Sequence, residues 1–361
     1  MFKFSEQNKK DETSSDDSTQ SESNSSEEES LSISSNTNDE ESDRSTSASR
    51  SCPYITTENE TVTVVTKNRV YEKKLYEISL DSIEFNQKYE LSNKYLTRGS
   101  YGSIHLGMNK VSNKKVAVKI IPRLQVLRFY PLKKGGYIPL EVEIMRRLRN
   151  VPGCIDLLDV YDMGHDYWLI TPYVEPSENL RQFIKSDKIN SETQARFIFS
   201  KIVVAVISMH YLGIVHRDIK TANVIIYEKS NKKTKVKLID FGSATFIKTN
   251  LSKGVHGTVF YYPPEFTKEQ IYHPESASVW ALGMLLFELL IKEQLETKDK
   301  ILEKLLETRE LTDAAKDLVT KCLKENYKER ISLKNIIVHQ WFPFHMRLKI
   351  KKALFFRHNH S

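Results

Sequence analysis

The sequence predicts an α+β fold of two lobes, a β-rich one followed by an α-helical one, with a cleft where they meet. Two observations carry this. Short alternating apolar segments crowd residues 89–121, the spacing of strands, whereas from residue 191 onward apolar residues recur at helical spacing over long stretches. A third observation sets the limits: hydrophobic residues make up only 39% of the 361-residue chain, so part of it is expected not to pack.

Residues 1–52 account for that deficit. They are rich in Ser, Glu, Asp, Asn and Thr, and the first 50 carry 13 acids against 5 bases. Such a segment cannot bury enough apolar surface to offset its ordering entropy, so it reads as a disordered acidic arm. Runs such as Ser25-Ser26-Glu27-Glu28-Glu29 are candidate acceptors for phosphate or simply a solubilising tail. The arm's net charge of −8 leaves +15 on residues 51–361 behind a mild overall +7.

Residues 53–83 are an extension of uncertain role, in which Thr61-Val62-Thr63-Val64-Val65-Thr66 alternates like a strand without an obvious partner. The first lobe is expected over 84–173. Its strands are Tyr95 to Gly107, Lys114 to Ile121 and Tyr167 to Thr171, and its helix runs from Pro139 to Leu148. The second lobe, 174–345, is expected to hold helices at Ser191–Leu212, Ser276–Ile291, Thr312–Cys322 and Ser332–Phe342. Residues 346–361 form a basic tail mixing cations with apolar residues.

Composition narrows the function classes. Three cysteines without a CxxC pattern (Cys52, Cys154 and Cys322) argue against a disulfide framework or a structural zinc site. No apolar core of a signal peptide follows Met1, and the apolar run Val279–Ile291, interrupted by Glu288, is shorter than the roughly 20 residues a membrane span needs. No membrane span and no specific nucleic-acid partner are expected.

The chemistry lies in four motifs. Thr97-Arg98-Gly99-Ser100-Tyr101-Gly102-Ser103-Ile104 sits between strands, where glycines let backbone amides approach phosphate oxygens. In Val116-Ala117-Val118-Lys119, alternation places Ala117 and Lys119 on one face, and Glu141 on the next helix can hold the ammonium. His216-Arg217-Asp218-Ile219-Lys220-Thr221-Ala222-Asn223 then sets an acid, a base and an amide at fixed intervals, followed by Asp240-Phe241-Gly242 after an apolar strand.

With these motifs in this order, the chain resembles the eukaryotic protein kinases over roughly residues 84 to 345. Gly257-Thr258, Tyr262-Pro263-Pro264-Glu265 and Lys328-Glu329-Arg330 match later landmarks, and Glu265 is expected to pair with Arg330. Within the family it is similar to the Pim kinases of the calmodulin-dependent-kinase group. Gly136 to Val142, the linker Pro172 to Asn179 with its Glu-Pro, and Ser278 in place of the usual Asp carry that likeness.

The resemblance implies a serine/threonine protein kinase that uses ATP and Mg2+ and acts on protein substrates. It assigns Asp218 to the substrate hydroxyl proton, Asn223 and Asp240 to magnesium, and Lys220 to the transferring group, with Lys220 and Thr258 favouring serine or threonine acceptors. It assigns Lys119, held by Glu141, to the α- and β-phosphates, with Thr97, Gly99 and Gly102 as the lid above them. Ile104, Ala117 and Ile225 are expected to enclose the adenine, with Tyr173 and Val174 at its edge and Thr171 at the back. Thr97, where the family has its first glycine, implies altered nucleotide affinity.

Asn179, Gln182, Thr221 and Ala222 stand where acids are expected in a groove for Arg-rich peptides, which points to neutral or acidic substrates instead. Thr249 and Ser252 are candidate phosphosites that would pair with Arg217, against a loop ordered without modification. A monomer in cytoplasm or nucleus is expected, its acidic arm resting on the basic body. The rival readings are a scaffold without phosphotransfer and a small-molecule phosphotransferase.

Overall fold

The computed structural model describes residues 54–355, apart from short segments at 59–60, 67–68, 75–79, 100–101, 134–135, 176, 229–233, 248–251, 254–256, 270 and 295–297. The acidic arm, Cys52, Thr249 and the end of the basic tail fall outside the described residues, as does the side chain of Ser252. The described residues fall into two compact units, one holding 54–55 and 64–70 and the other the remaining described residues from 56 onward. Three short strands come first in sequence, β1 (Tyr54–Glu58), β2 (Thr61–Thr66) and β3 (Arg69–Lys74). The strand expected at Thr61 is therefore present.

Helix α1 (Leu80–Lys88) leads directly into β4 (Tyr89–Gly99). Then follow β5 (Gly102–Asn109), β6 (Lys114–Pro122), β7 (Phe129–Pro131), β8 (Tyr137–Pro139), α2 (Leu140–Arg147), β9 (Asp159–Asp162) and β10 (Asp166–Pro172). Five of these strands form an antiparallel sheet in the order β4-β5-β6-β10-β9. Alternation along β6 works as read: Val116 and Val118 are buried against Phe85, Tyr89, Tyr161 and Ile170, which turns Ala117 and Lys119 to the opposite face. Phe85 on α1 packs edge-on to Trp168 at 4.8 Å, so α1 crosses the expected boundary at residue 84 to cover the sheet.

Helices dominate beyond β10. The elements are β11 (Ser177–Asn179), α3 (Leu180–Lys185), α4 (Glu192–Tyr211), β12 (Ile214–Val215), β13 (Val224–Glu228), β14 (Thr234–Leu238), β15 (Thr245–Phe246), β16 (Ser252–Lys253), α5 (Pro264–Glu269) and β17 (Ile271–Tyr272). After them come α6 (Pro274–Ile291), α7 (Lys298–Glu307), α8 (Asp313–Cys322), α9 (Leu333–Ile336) and α10 (Phe344–Phe355). Side-chain caps fix several starts: Ser191 accepts from Gln194 N–H, Thr312 from Ala315 N–H and Ser332 from Asn335 N–H.

Helix α6 is apolar all round and long enough by composition to cross a membrane, yet 72% of it is buried among α4, α8 and the loops around them. Such a helix is the spine of a packed core. Cys154 and Cys322 are free thiols inside that core.

One expected helix is corrected. Residues 332–342 do not form a continuous helix, because α9 ends at Ile336. The chain then turns, with Phe342 N–H donating to the His339 carbonyl, so that Trp341 and Phe342 both reach Phe199 on α4, at ring distances of 5.9 and 6.4 Å. Burying two adjacent aromatic side chains outweighs one more helical turn.

Glu265 on α5 and Arg330 form a bidentate pair, both contacts at 2.8 Å, with the Arg330 side chain 0% exposed. The guanidinium also donates to the carbonyls of Ser276 and Lys324 and lies 5.1 Å from the Trp280 ring. Removing one partner strands a buried charge. Glu265→Ala is therefore expected to cost about 3–5 kcal/mol in urea unfolding, and replacing both residues by apolar ones of similar volume is expected to recover most of it.

Candidate active site

The β4–β5 hairpin pairs Thr97 with Ile104 and Gly99 with Gly102. Gly102 has φ of +129°, and a Cβ there would lie 2.1 Å from the Ile120 carbonyl oxygen, so the turn closes over β6 only with glycine. Beneath it, β6 sets Lys119 between Ile104 on β5 and Leu169 on β10, and Ala117 between Leu106 and Thr171. The Thr171 hydroxyl lies 3.5 Å from the Ala117 carbonyl oxygen. The Tyr173 N–H donates to the Lys115 carbonyl at 3.3 Å, which ties the linker to β6.

Lys119 joins three elements. Its Nζ is 2.7 Å from Glu141 Oε1 on α2 and 3.1 Å from Asp240 Oδ1 after β14. Burial pulls the ammonium toward deprotonation, but the two carboxylates outweigh it and hold Lys119 above its ordinary value. Burial likewise opposes the charged form of Asp240, and Lys119 reverses this to leave its carboxyl below the usual range.

The loop after β12 supplies a second cluster. Asp218 Oδ2 is 2.8 Å from Lys220 Nζ and accepts from Asn223 Nδ2 at 2.8 Å, while Oδ1 accepts from the Thr258 hydroxyl at 2.9 Å. Lys220 Nζ donates in turn to Thr258 Oγ1 at 2.7 Å, closing a triangle. Thr258 comes this close because Gly257, at φ of +101°, brings its Cα against the Arg217 carbonyl; a Cβ there would lie 2.2 Å from that oxygen. Burial holds His216 below its ordinary value despite nearby Asp218 and Asp240. Its Nε2 meets the Ile239 carbonyl at 3.1 Å and its ring packs on Phe241, seating Asp240 at φ of +63°.

Oxygen donors for a hard cation fit here. Both acceptors facing the Asn223 amide require its NH2, so its Oδ1 points away from Asp218. The Asn223 carbonyl accepts the Ile239 N–H, which holds Asn223 next to the strand end bearing Asp240. Among the described residues no cluster of three His, Cys, Asp or Glu could hold a metal. Two oxygen donors completed by substrate phosphate are the arrangement Mg2+ favours.

The expected peptide-groove residues are engaged elsewhere. Asn179 and Gln182 form the reciprocal cap of α3, and the Thr221 hydroxyl donates to Glu288 Oε2 at 2.7 Å. Glu288, buried on α6, also accepts from the Tyr261 hydroxyl and from Gln294. Burial raises its carboxyl above the ordinary value against these three donors. In the sequence Glu288 stands out only as a break in an apolar run; a lone acid there must find partners when buried, and that is the signal by which it can be found. Arg128, which reaches the residues after Asp240, gave no signal of its own.

The protein kinase domain family matches residues 91–342, and the chain belongs to that family. Among its relatives, the serine/threonine-protein kinase prk-2 of Caenorhabditis elegans is 31% identical over 264 residues, covering 72% of this chain and 59% of the relative. The serine/threonine-protein kinase pim-2 of Danio rerio is 28% identical over 291 residues, 75% of this chain and 93% of that one. The serine/threonine-protein kinase ppk6 of Schizosaccharomyces pombe is 31% identical over 257 residues, 69% of this chain and 32% of its own length.

Ser278 donates its only hydroxyl proton to the Pro274 carbonyl at 2.9 Å, so its 3.0 Å contact with His210 requires a proton on His210 Nε2. Burial drives His210 down to about 4. The folded chain thus resists a proton that the unfolded chain accepts near 6.5, and stability is lost as pH falls from about 6.5 toward 4. His210→Gln is expected to flatten that slope, by at most about 3 kcal/mol, in urea midpoints followed from pH 7 to 4.5.

Proposed function

We propose that the chain transfers the γ-phosphoryl group of ATP to serine or threonine hydroxyls of proteins. The observation that carries this reading is the closed cluster of Asp218, Lys220, Thr258 and Asn223 beside the Lys119–Glu141–Asp240 ion cluster. Catalysis of phosphoryl transfer is mainly positioning and charge stabilisation, and these groups suit both.

Asp218, its carboxylate oriented by three donors, accepts the proton of the substrate hydroxyl as its oxygen bonds to the γ-phosphorus. The bond from that phosphorus to the β-phosphate bridging oxygen breaks, and ADP leaves with its electron pair. Lys220, now bonded to both Asp218 and Thr258, balances charge on the transferring group. Lys119 holds the α- and β-phosphates. Asn223 and Asp240 are the residues to hold Mg2+, which supplies charge neutralisation at the phosphates when bound. Thr97, Gly99 and Gly102 cover the phosphates, and Ile104, Ala117, Ile225, Thr171, Tyr173 and Val174 form the adenine site. By resemblance to the family, Lys220 and Thr258 favour a serine or threonine hydroxyl as acceptor.

A Mg-ATP phosphorylation assay tests this. Asp218→Asn is expected to lower kcat by about 10²- to 10⁴-fold with the KM for ATP little changed. Equal activity in both proteins would remove Asp218 as the base. Activity in neither would favour a binding scaffold.

For substrate choice we propose neutral or acidic peptides, since Asn179 and Gln182 are used in a cap and Glu288 is occupied by Tyr261 and Thr221. A peptide panel with Glu-rich and Arg-rich flanks is expected to favour the Glu-rich set, more strongly at low salt. Preference for the Arg-rich set would end that proposal.

A further inference from the structure

Three consecutive carbonyls after the metal-binding loop each accept a hydrogen bond from an arginine. Arg128 Nη2 donates to the Gly242 carbonyl at 3.1 Å and to the Ala244 carbonyl at 2.9 Å. Arg217 Nε donates to the Ser243 carbonyl between them at 2.8 Å. The residue gripped first is next to the phosphate-binding cluster. A methyl group built on Gly242 would lie 3.4 Å from Asp240 Oδ1, 3.5 Å from Glu141 Oε2 and 3.6 Å from Lys119 Nζ.

Arg128 also acts through its backbone. Its carbonyl accepts the N–H of Leu140 at 2.9 Å, one of the helix-start donors of α2 that has no partner within the helix. Glu141 is the next residue. One side of Arg128 therefore fixes where α2 begins, and the other fixes the chain just beyond Asp240. Burial raises the Glu141 carboxyl above its ordinary value, and Lys119 and, more weakly, the Arg128 guanidinium oppose that rise. The connecting segment is anchored separately at its other end, where Arg123 bonds Asp162, the Gly164 carbonyl and the Tyr167 hydroxyl.

We propose that Arg128 is a positioning residue that locks α2 and the residues after Asp240 into one arrangement, and so keeps Lys119, Glu141 and Asp240 assembled. This rests on the protein-kinase reading above. Charged donors to backbone carbonyls are among the stronger protein hydrogen bonds, and a planar guanidinium reaches two carbonyls two residues apart where an ammonium is less well matched.

The test uses the full chain treated with phosphatase, as wild type, Arg128→Gln, Arg128→Lys and Arg123→Gln. Hydrogen exchange is read over residues 140–148 and 241–247, alongside kcat and the KM for ATP. Arg128→Gln is expected to speed exchange in both segments together and to lower kcat by about tenfold, with less change in KM. Arg128→Lys is expected to fall between, and Arg123→Gln to leave kcat near wild type although it loosens the same connection. Unchanged exchange at 241–247 in Arg128→Gln would overturn the proposal. So would a kcat loss in Arg123→Gln equal to that of Arg128→Gln. If no variant and no wild type transfers phosphate, the kinase reading fails, while paired exchange changes would still uphold the coupling by Arg128.

Discussion

An ammonium group taken out of water must be paired, and the pairing of Lys119 organises the active site. Its two carboxylates come from different places: Glu141 from a helix of the first lobe, Asp240 from a loop of the second. With the ammonium mostly buried, losing either contact leaves charge uncompensated in a poorly solvated place. The strand, the helix and the loop are consequently constrained together. Gly102 closes over the same strand from above, and His216 with Phe241 seats Asp240 from below.

A second buried charge does comparable work in the helical lobe. Glu288 on α6 takes hydrogen bonds from Thr221 in the catalytic loop and Tyr261 after Thr258. The apolar spine of the lobe is thereby tied to both segments that flank Asp218. Glu265 and Arg330 fix the far end of the same segment. Two of the groups that orient Asp218 are anchored in turn: Thr258 by the approach of Gly257 and Asn223 by the Ile239 N–H.

Much of this was legible in the sequence because it is local. Alternation in Val116-Ala117-Val118-Lys119 gave the face that Lys119 occupies, and helical spacing gave starts at Ser191 and Thr312, the residues that cap α4 and α8. Ser332–Phe342 misled because its helical spacing competes with the burial of Trp341 and Phe342 on α4, a contact 142 residues away for the closer pair. Asn179 and Gln182 were legible only as residue types, and their use in a helix cap became visible only with the backbone in place.

The sequence by itself determined the two-lobed α+β order, the spacing of Asp218, Lys220 and Asn223 within one loop, and the alternation that aims Lys119. Periodicity and short-range spacing are properties of neighbouring residues, so one chain displays them without a partner. Tertiary structure alone decided which distant groups meet: Thr258 with Asp218 and Lys220, Glu288 with Thr221 and Tyr261, and Arg128 with the carbonyls of Gly242 and Ala244. Those choices follow from the need of each buried charge and backbone oxygen for a partner, and the available partner depends on how the elements pack.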